Sequence, residues 1–138
     1  MAAKPFLDSN ILIYLLSDDS SKADCAEGLL RHGGIISVQV LNEVTHVMRR
    51  KLRLEWTEIR EFLSLVRSFV TVEPLTVEIH EQGLQLAERY GFSLYDAMIV
   101  ASALTAGCSR LMSEDMQDGL RVDGRLEIGN PFGKISSS

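Results

Sequence analysis

A chain of 138 residues, 46% hydrophobic and 24% charged, fits one domain around one core and has the ordinary composition of a soluble globular protein. The net charge of -5 excludes a non-specific nucleic-acid coat, which is basic. It does not exclude an enzyme acting on nucleic acid, because an acidic metal site itself contributes negative charge.

The opening Met1-Ala2-Ala3-Lys4-Pro5 lacks an apolar signal-peptide core. The apolar run 6–16 is too short to span a bilayer and contains Asp8. The expectation is a cytoplasmic protein without a membrane anchor. Pro5-Phe6-Leu7 reads as the end of a first strand and 9–16 as a helix. Ser20 or Ser21 can cap a second helix that stops near Gly33-Gly34. Ile35-Ile36-Ser37 is a second strand. A third helix covers 38–52, with Leu41, Val44 and Met48 on one stripe. Thr57 opens a fourth, whose apolar face carries Ile59, Phe62, Leu63, Val66 and Phe69. Val70-Thr71-Val72-Glu73 is a third strand stopped by Pro74. Thr76 begins a fifth helix that ends at Gly91. Ser93 caps a sixth that runs to Gly107. Arg110-Leu111-Met112-Ser113 and Leu126-Glu127-Ile128 complete five strands, and 135–138 reads as a frayed tail after a domain over 1–134.

Strands separated by helices imply an α/β fold, a parallel sheet with helices on both faces. Sites in such sheets form at the carboxyl ends of the strands, so acids just after strands gain interest. Asp8 follows the first strand and can serve simply as a helix N-cap. Glu43 lies on the third helix near Val40 and Val47, not on a plainly solvated face. Asp96 is the sole charged residue between 92 and 108, at the entrance of a helix apolar all round, which marks a buried helix. A carboxylate there is costly unless paired or bound to a cation, although Ser93-x-x-Asp96 also fits a capping box. Asp115 follows the fourth strand in Ser113-Glu114-Asp115-Met116-Gln117-Asp118-Gly119, where Glu114 and Asp118 compete with it and a polar turn is the plainer explanation.

All four acids map to one end of the sheet. Like charges gathered there raise one another's pKa, and a hard divalent cation such as Mg²⁺ or Mn²⁺ relieves the repulsion. Cys25 and Cys108 have no zinc-type spacing and read as small hydrophobes. His32, His46 and His80 are scattered, and none is assigned to catalysis.

Leu7-Asp8-Ser9-Asn10, Asn42-Glu43, Tyr95-Asp96-Ala97, Ser113-Glu114-Asp115 and Asn130-Pro131-Phe132, in this order and spacing, resemble a PIN domain, and within that family the VapC-type toxins of toxin–antitoxin pairs. The resemblance covers 6–132. It implies a three-layer α/β/α fold with a parallel sheet of about five strands and a homodimer. It implies a metal site of Asp8, Glu43, Asp96 and Asp115, with Asp118 as an alternative, and Ser9, Asn10 and Ser113 as partners of the acids or of metal-bound water. It further implies RNA hydrolysis leaving 5′-phosphate and 3′-hydroxyl ends, and a cognate antitoxin.

RNA also needs positive charge near the acids. Arg49, Arg50, Lys51 and Arg53 concentrate four of the 14 basic residues. Most of them are accounted for by a helix end whose dipole favours cations, while one or two could contact phosphate. Two other readings stay open: a metal-dependent phosphohydrolase, although Asp8-Ser9-Asn10 lacks the second aspartate of an Asp-x-Asp pair, and a non-catalytic RNA-binding module, although all four acids are present.

Overall fold

Side chains alternate between the two faces along a strand, so neighbouring buried residues require cover on both sides of the sheet. In this computed structural model, which describes residues 4–132, strand β1 (Phe6–Leu7) meets that condition, with both side chains fully buried. Leu111 and Met112 of β4 (Arg110–Met112) do the same. Together with β2 (Gly34–Ser37), β3 (Val70–Glu73), β5 (Arg121–Val122) and β6 (Leu126–Gly129), they form a six-stranded sheet in the order β3-β2-β1-β4-β6-β5. Five of these strands run parallel, and β5 pairs antiparallel with β6. The expected α/β architecture is therefore present, with one strand more than the five expected. The expected tail at 135–138 lies outside the described residues.

The helices are α1 (Ser9–Ile13), α2 (Ser20–Arg31), α3 (Val38–Arg50), α4 (Trp56–Arg67), α5 (Val77–Tyr90) and α6 (Leu94–Thr105). The first expected helix is shorter than 9–16, because its last turn tightens into a 3-10 turn over Tyr14–Leu16. Two start signals also move by one or two residues. Asp19, not Ser20 or Ser21, caps α2 by accepting from the Lys22 amide. Glu55, not Thr57, opens α4 through a reciprocal capping box with Glu58. Ser37, Thr76 and Ser93 cap α3, α5 and α6 as hydroxyl acceptors.

Helix α6 is buried from Ala97 through Leu104, in keeping with its apolar sequence. It packs against α5, where Gly83 permits close approach: a β-carbon there would lie 2.3 Å from Met98 Cε. From β1 the chain moves outward to β2 and β3, then returns through α5 and α6 to pair β4 on the other side of β1. Such a reversal in strand order leaves a crevice at the carboxyl ends beside β1.

Candidate active site

Because β1 and β4 are neighbours, the residues that follow them meet. The Asp8 amide donates to the Met112 carbonyl at 3.0 Å, and the Ser113 amide to Gly129 at 2.9 Å. These bonds carry the sheet pairing one residue past each strand and fix both backbones. Ser113 Oγ then donates to Asp8 Oδ2 at 2.7 Å while accepting from the amides of Asp115 and Met116. One buried hydroxyl thus holds the carboxylate of Asp8 and shapes the turn that carries Asp115.

Asp8 is 2% exposed. Its Oδ1 accepts from the Ser9 amide at 2.7 Å, the N-cap arrangement expected of an acid at this junction. Asn10 Nδ2 donates both to Asp8 Oδ2 at 3.3 Å and to Asp115 Oδ2 at 3.2 Å, while Asn10 Oδ1 accepts from the Glu114 amide. Across the crevice, Glu43 accepts from Ser9 Oγ at 2.8 Å and from Gln39 Nε2 at 2.9 Å. Ser9, Asn10 and Ser113 are therefore direct partners of the acids.

Electrostatics joins the fourth acid to these three. Burial pushes the Asp8 carboxyl up to about 6; the hydrogen bonds from Ser113 and Ser9 oppose the shift, and the charges of Glu43 and Asp96 add to it. Asp96 is also raised, first by burial, then by Glu43 and Asp115, against a hydrogen bond with Ser93. Among the described residues no ion pair reaches Asp8, Glu43, Asp96 or Asp115. The result is a group of four carboxylates in mutual electrostatic range, with no basic side chain among the described residues paired to them.

The two competitors of Asp115 are engaged elsewhere. Asp118 Oδ1 accepts from the Asn130 amide at 2.9 Å, and Asp118 lines a separate concavity with Arg110, Met112 and Glu127. Glu114 accepts from Tyr14 and pairs with Lys22 at 2.9 Å. The Tyr14 hydrogen bond, followed by Lys22, holds the Glu114 carboxyl below its usual value. Lys22 also lies over the Tyr14 ring, which meets Phe132 edge to face. This knot ties α2 to the turn bearing Asp115.

Sequence reasoning missed Gln39 and the Lys22–Tyr14 pair. Gln39 had a signal, since it precedes Glu43 by four residues and so shares its helix face. Lys22 and Tyr14 had none, because their contact with Glu114 spans 92 and 100 residues.

A profile of the PIN domain family matches residues 6–120. The chain belongs to the PIN domain family. That membership places it among nucleases. Among solved structures, this PIN domain is similar to a toxin–antitoxin complex from Klebsiella pneumoniae, with a TM-score of 0.70 and 21% identity over 93% of this chain and 98% of the other. It is also similar to VapC20 of Mycobacterium tuberculosis, described as a sarcin–ricin-loop-cleaving toxin, with a TM-score of 0.65 and 20% identity over 80% and 90% of the two chains. VapBC2 of Rickettsia felis, solved with a promoter DNA fragment, gives 0.65 and 20% over 91% and 96%. At these identities the likeness is one of fold. No curated protein sequence matches significantly. Among the described residues no helix is long and apolar enough to cross a membrane.

Proposed function

We propose that this PIN domain is a Mg²⁺- or Mn²⁺-dependent endoribonuclease and the toxin of a toxin–antitoxin pair, acting in the cytoplasm as a homodimer. The observation that carries the catalytic reading is the cluster of four carboxylates, one pushed up to about 6, with no basic partner among the described residues. Donor chemistry supports a hard cation, since every candidate ligand is a carboxylate oxygen. Among the described residues no three acid, histidine or cysteine side chains stand close enough together to hold a metal ion as they are placed, so binding would have to draw the acids inward.

Asp8, Asp96 and Asp115 would hold the ion, with Glu43 holding it or orienting water. A divalent cation there supplies water activation and charge compensation at a phosphodiester. The protein's own part is placement. Ser113 and the Ser9 amide fix Asp8, Ser9 and Gln39 fix Glu43, and Asn10 sets the spacing of Asp8 and Asp115. Placement of this kind matters because catalytic groups must be held close to their productive geometry.

The toxin reading rests on the family match and on solved neighbours that include toxin–antitoxin complexes. Two surfaces suit an inhibitory peptide. The acid bowl attracts arginine, whose planar fork can bridge two carboxylates. A groove between α2 and α4, lined by Leu16, Leu30, Phe62, Leu65 and Phe69, offers apolar packing that resists salt. The test is cleavage of labelled RNA with Mg²⁺, with Mn²⁺ and with chelator, followed by high-salt capture of the antitoxin and assay of the complex. Activity is expected with either metal, none with chelator, and none in the complex. Full activity in chelator would refute the carboxylate reading. A captured partner that leaves cleavage intact would refute the toxin reading alone.

A further inference from the structure

The most concentrated positive charge in this acidic chain lies outside the acid bowl. Arg49, Arg50 and Arg53 line one concavity at the end of α3, and Lys51 lies between them in sequence. Among the described residues none of the four makes an ion pair. The adjacent acids, Glu55 and Glu58, are occupied with each other in the capping box of α4. We propose that this patch docks the phosphodiester backbone of the RNA strand whose scissile bond lies at the acid cluster. The proposal rests on the ribonuclease reading above.

Three observations carry it. The first is preorganisation. The Arg49 guanidinium lies 5.0 Å from the centre of the Trp56 ring, and its Nη1 donates to the Leu54 carbonyl at 3.0 Å. A guanidinium held in this way loses little freedom when it meets a phosphate, and its other N–H groups stay free for a forked contact. Trp56 is 49% exposed, which leaves aromatic surface on which a base can stack.

The second is Arg53, at φ 56. It stands in the left-handed turn that closes α3, where the Leu54 amide reaches back to the Met48 carbonyl. Glycine is the ordinary occupant of such a position. A cation complementing the helix dipole accounts for Arg49 and Arg50, but not for a third arginine beyond the helix in a strained conformation.

The third is direction. Glu43, His46 and Arg50 follow one another at the helical spacing i, i+3, i+7, along one stripe of α3. Seven residues at 1.5 Å each put Arg50 about 10 Å along the axis from Glu43. A strand held at the acids therefore reaches the patch within a few nucleotides. An acidic polypeptide would share the charge complementarity but gains nothing from a stripe that leads to the acids.

The test uses the full chain and a labelled 20-nucleotide single-stranded RNA in chelator, where no cleavage competes with binding. The double variant Arg50→Gln, Arg53→Gly is compared with Arg67→Gln, Arg125→Gln, which removes the same charge elsewhere. Arg53→Gly suits the positive φ, so the variant retains the helix end, and thermal melting verifies this. The expected result is affinity weaker by about tenfold, and a slope of log affinity against log salt shallower by about 1.4, at roughly 0.7 for each phosphate no longer neutralised. In Mg²⁺, KM should rise for the 20-mer and stay unchanged for a dinucleotide too short to reach the patch, with kcat unaltered for both. Equal losses in the two double variants, or KM changes of the same size for both substrates, would overturn the proposal. So would poly-glutamate that binds the wild type more tightly than RNA and is released by the patch variant, since the surface would then serve a protein. If no RNA is cleaved by the wild type while the patch variant still loses affinity and salt slope selectively, the ribonuclease reading fails and the docking surface stands.

Discussion

Asp8 and Asp115 accept hydrogen bonds from the same Asn10 amide, at 3.3 and 3.2 Å, yet their surroundings differ sharply. Asp8 is buried and also held by Ser113 and by the Ser9 amide. Asp115 is exposed, and Asn10 holds it from one side. Asp96 resembles the open side: it stands half-buried at the entrance of α6 beside Ser93. One side of the bowl is therefore set by the fold, while the other presents charge that a ligand can draw in. The fixed side holds a buried carboxylate in one geometry, and its burial makes its charged form costly without a cation; the open side adds the charges of Asp96 and Asp115, which a ligand can reach.

The largest effect should come from Asp96→Asn. It keeps the shape of the open side but removes charge that would hold the metal, so RNA cleavage should fall by on the order of a thousandfold, the equivalent of several kcal/mol of lost charge stabilisation. Circular dichroism should show an unchanged fold, and near-normal cleavage by the folded variant would remove Asp96 from the mechanism.

Next in size is the pH dependence of the metal-free protein. The folded-state pKa of Asp8 lies above its ordinary value of 3.8, so between pH 4 and 6 the unfolded chain releases this proton first. Stability therefore falls as pH rises through that window, by about 3 kcal/mol in all at 1.36 kcal/mol per unit. Denaturant melts at pH 4, 5, 6 and 7 should show the decline. Asp8→Asn should flatten it, and Mg²⁺ should raise Tm more at pH 7 than at pH 5. A flat wild-type profile would mean that burial does not disfavour the charged form of Asp8, and the contrast with the open side would then disappear.

Ser113→Ala probes the fixed side. It removes the donor to Asp8 and the acceptor of two amides, which should cost about 1–3 kcal/mol of stability and about 10–100-fold in cleavage or metal affinity. Chemical denaturation and a Mg²⁺ titration of activity read the two effects separately. The smallest change expected is from Asp118→Asn, whose native partner is the Asn130 amide. Cleavage should stay within about twofold, with stability lowered by no more than about 1 kcal/mol. A large loss would bring Asp118 into the reaction.

Much of this arrangement can be read in the sequence, because the decisive signals are local. Asp96 stands out as a lone charge in an apolar helix, and Thr76 and Ser93 announce the helices that follow them, whereas the cap at Ser37 is hidden in what reads as the end of a strand. Strand β5 escapes such a reading because two residues cannot show an alternating pattern. Its signal lies in the turn: Asp123 and Gly124 both adopt positive φ, at 54 and 66, as a tight hairpin of the Asp-Gly kind requires. The knot of Lys22, Tyr14 and Glu114 is not legible at all. Each of those residues is ordinary in its own segment, and the fold alone brings them together. Asp118 and Asp115 are likewise alike in a polar turn until the Asn130 amide sets them apart.

The long reach of the Asn10 bond to Asp115, 105 residues in sequence, also bears on synthesis. Asp8 leaves the ribosome well before Ser113 and the turn that follows β4, which come more than a hundred residues later. A nascent chain stopped before Ser113 has neither the hydroxyl that seats Asp8 nor the turn that carries Asp115. The four-acid cluster is thus among the last features to be assembled, and a chain truncated before Ser113 should show no nuclease activity.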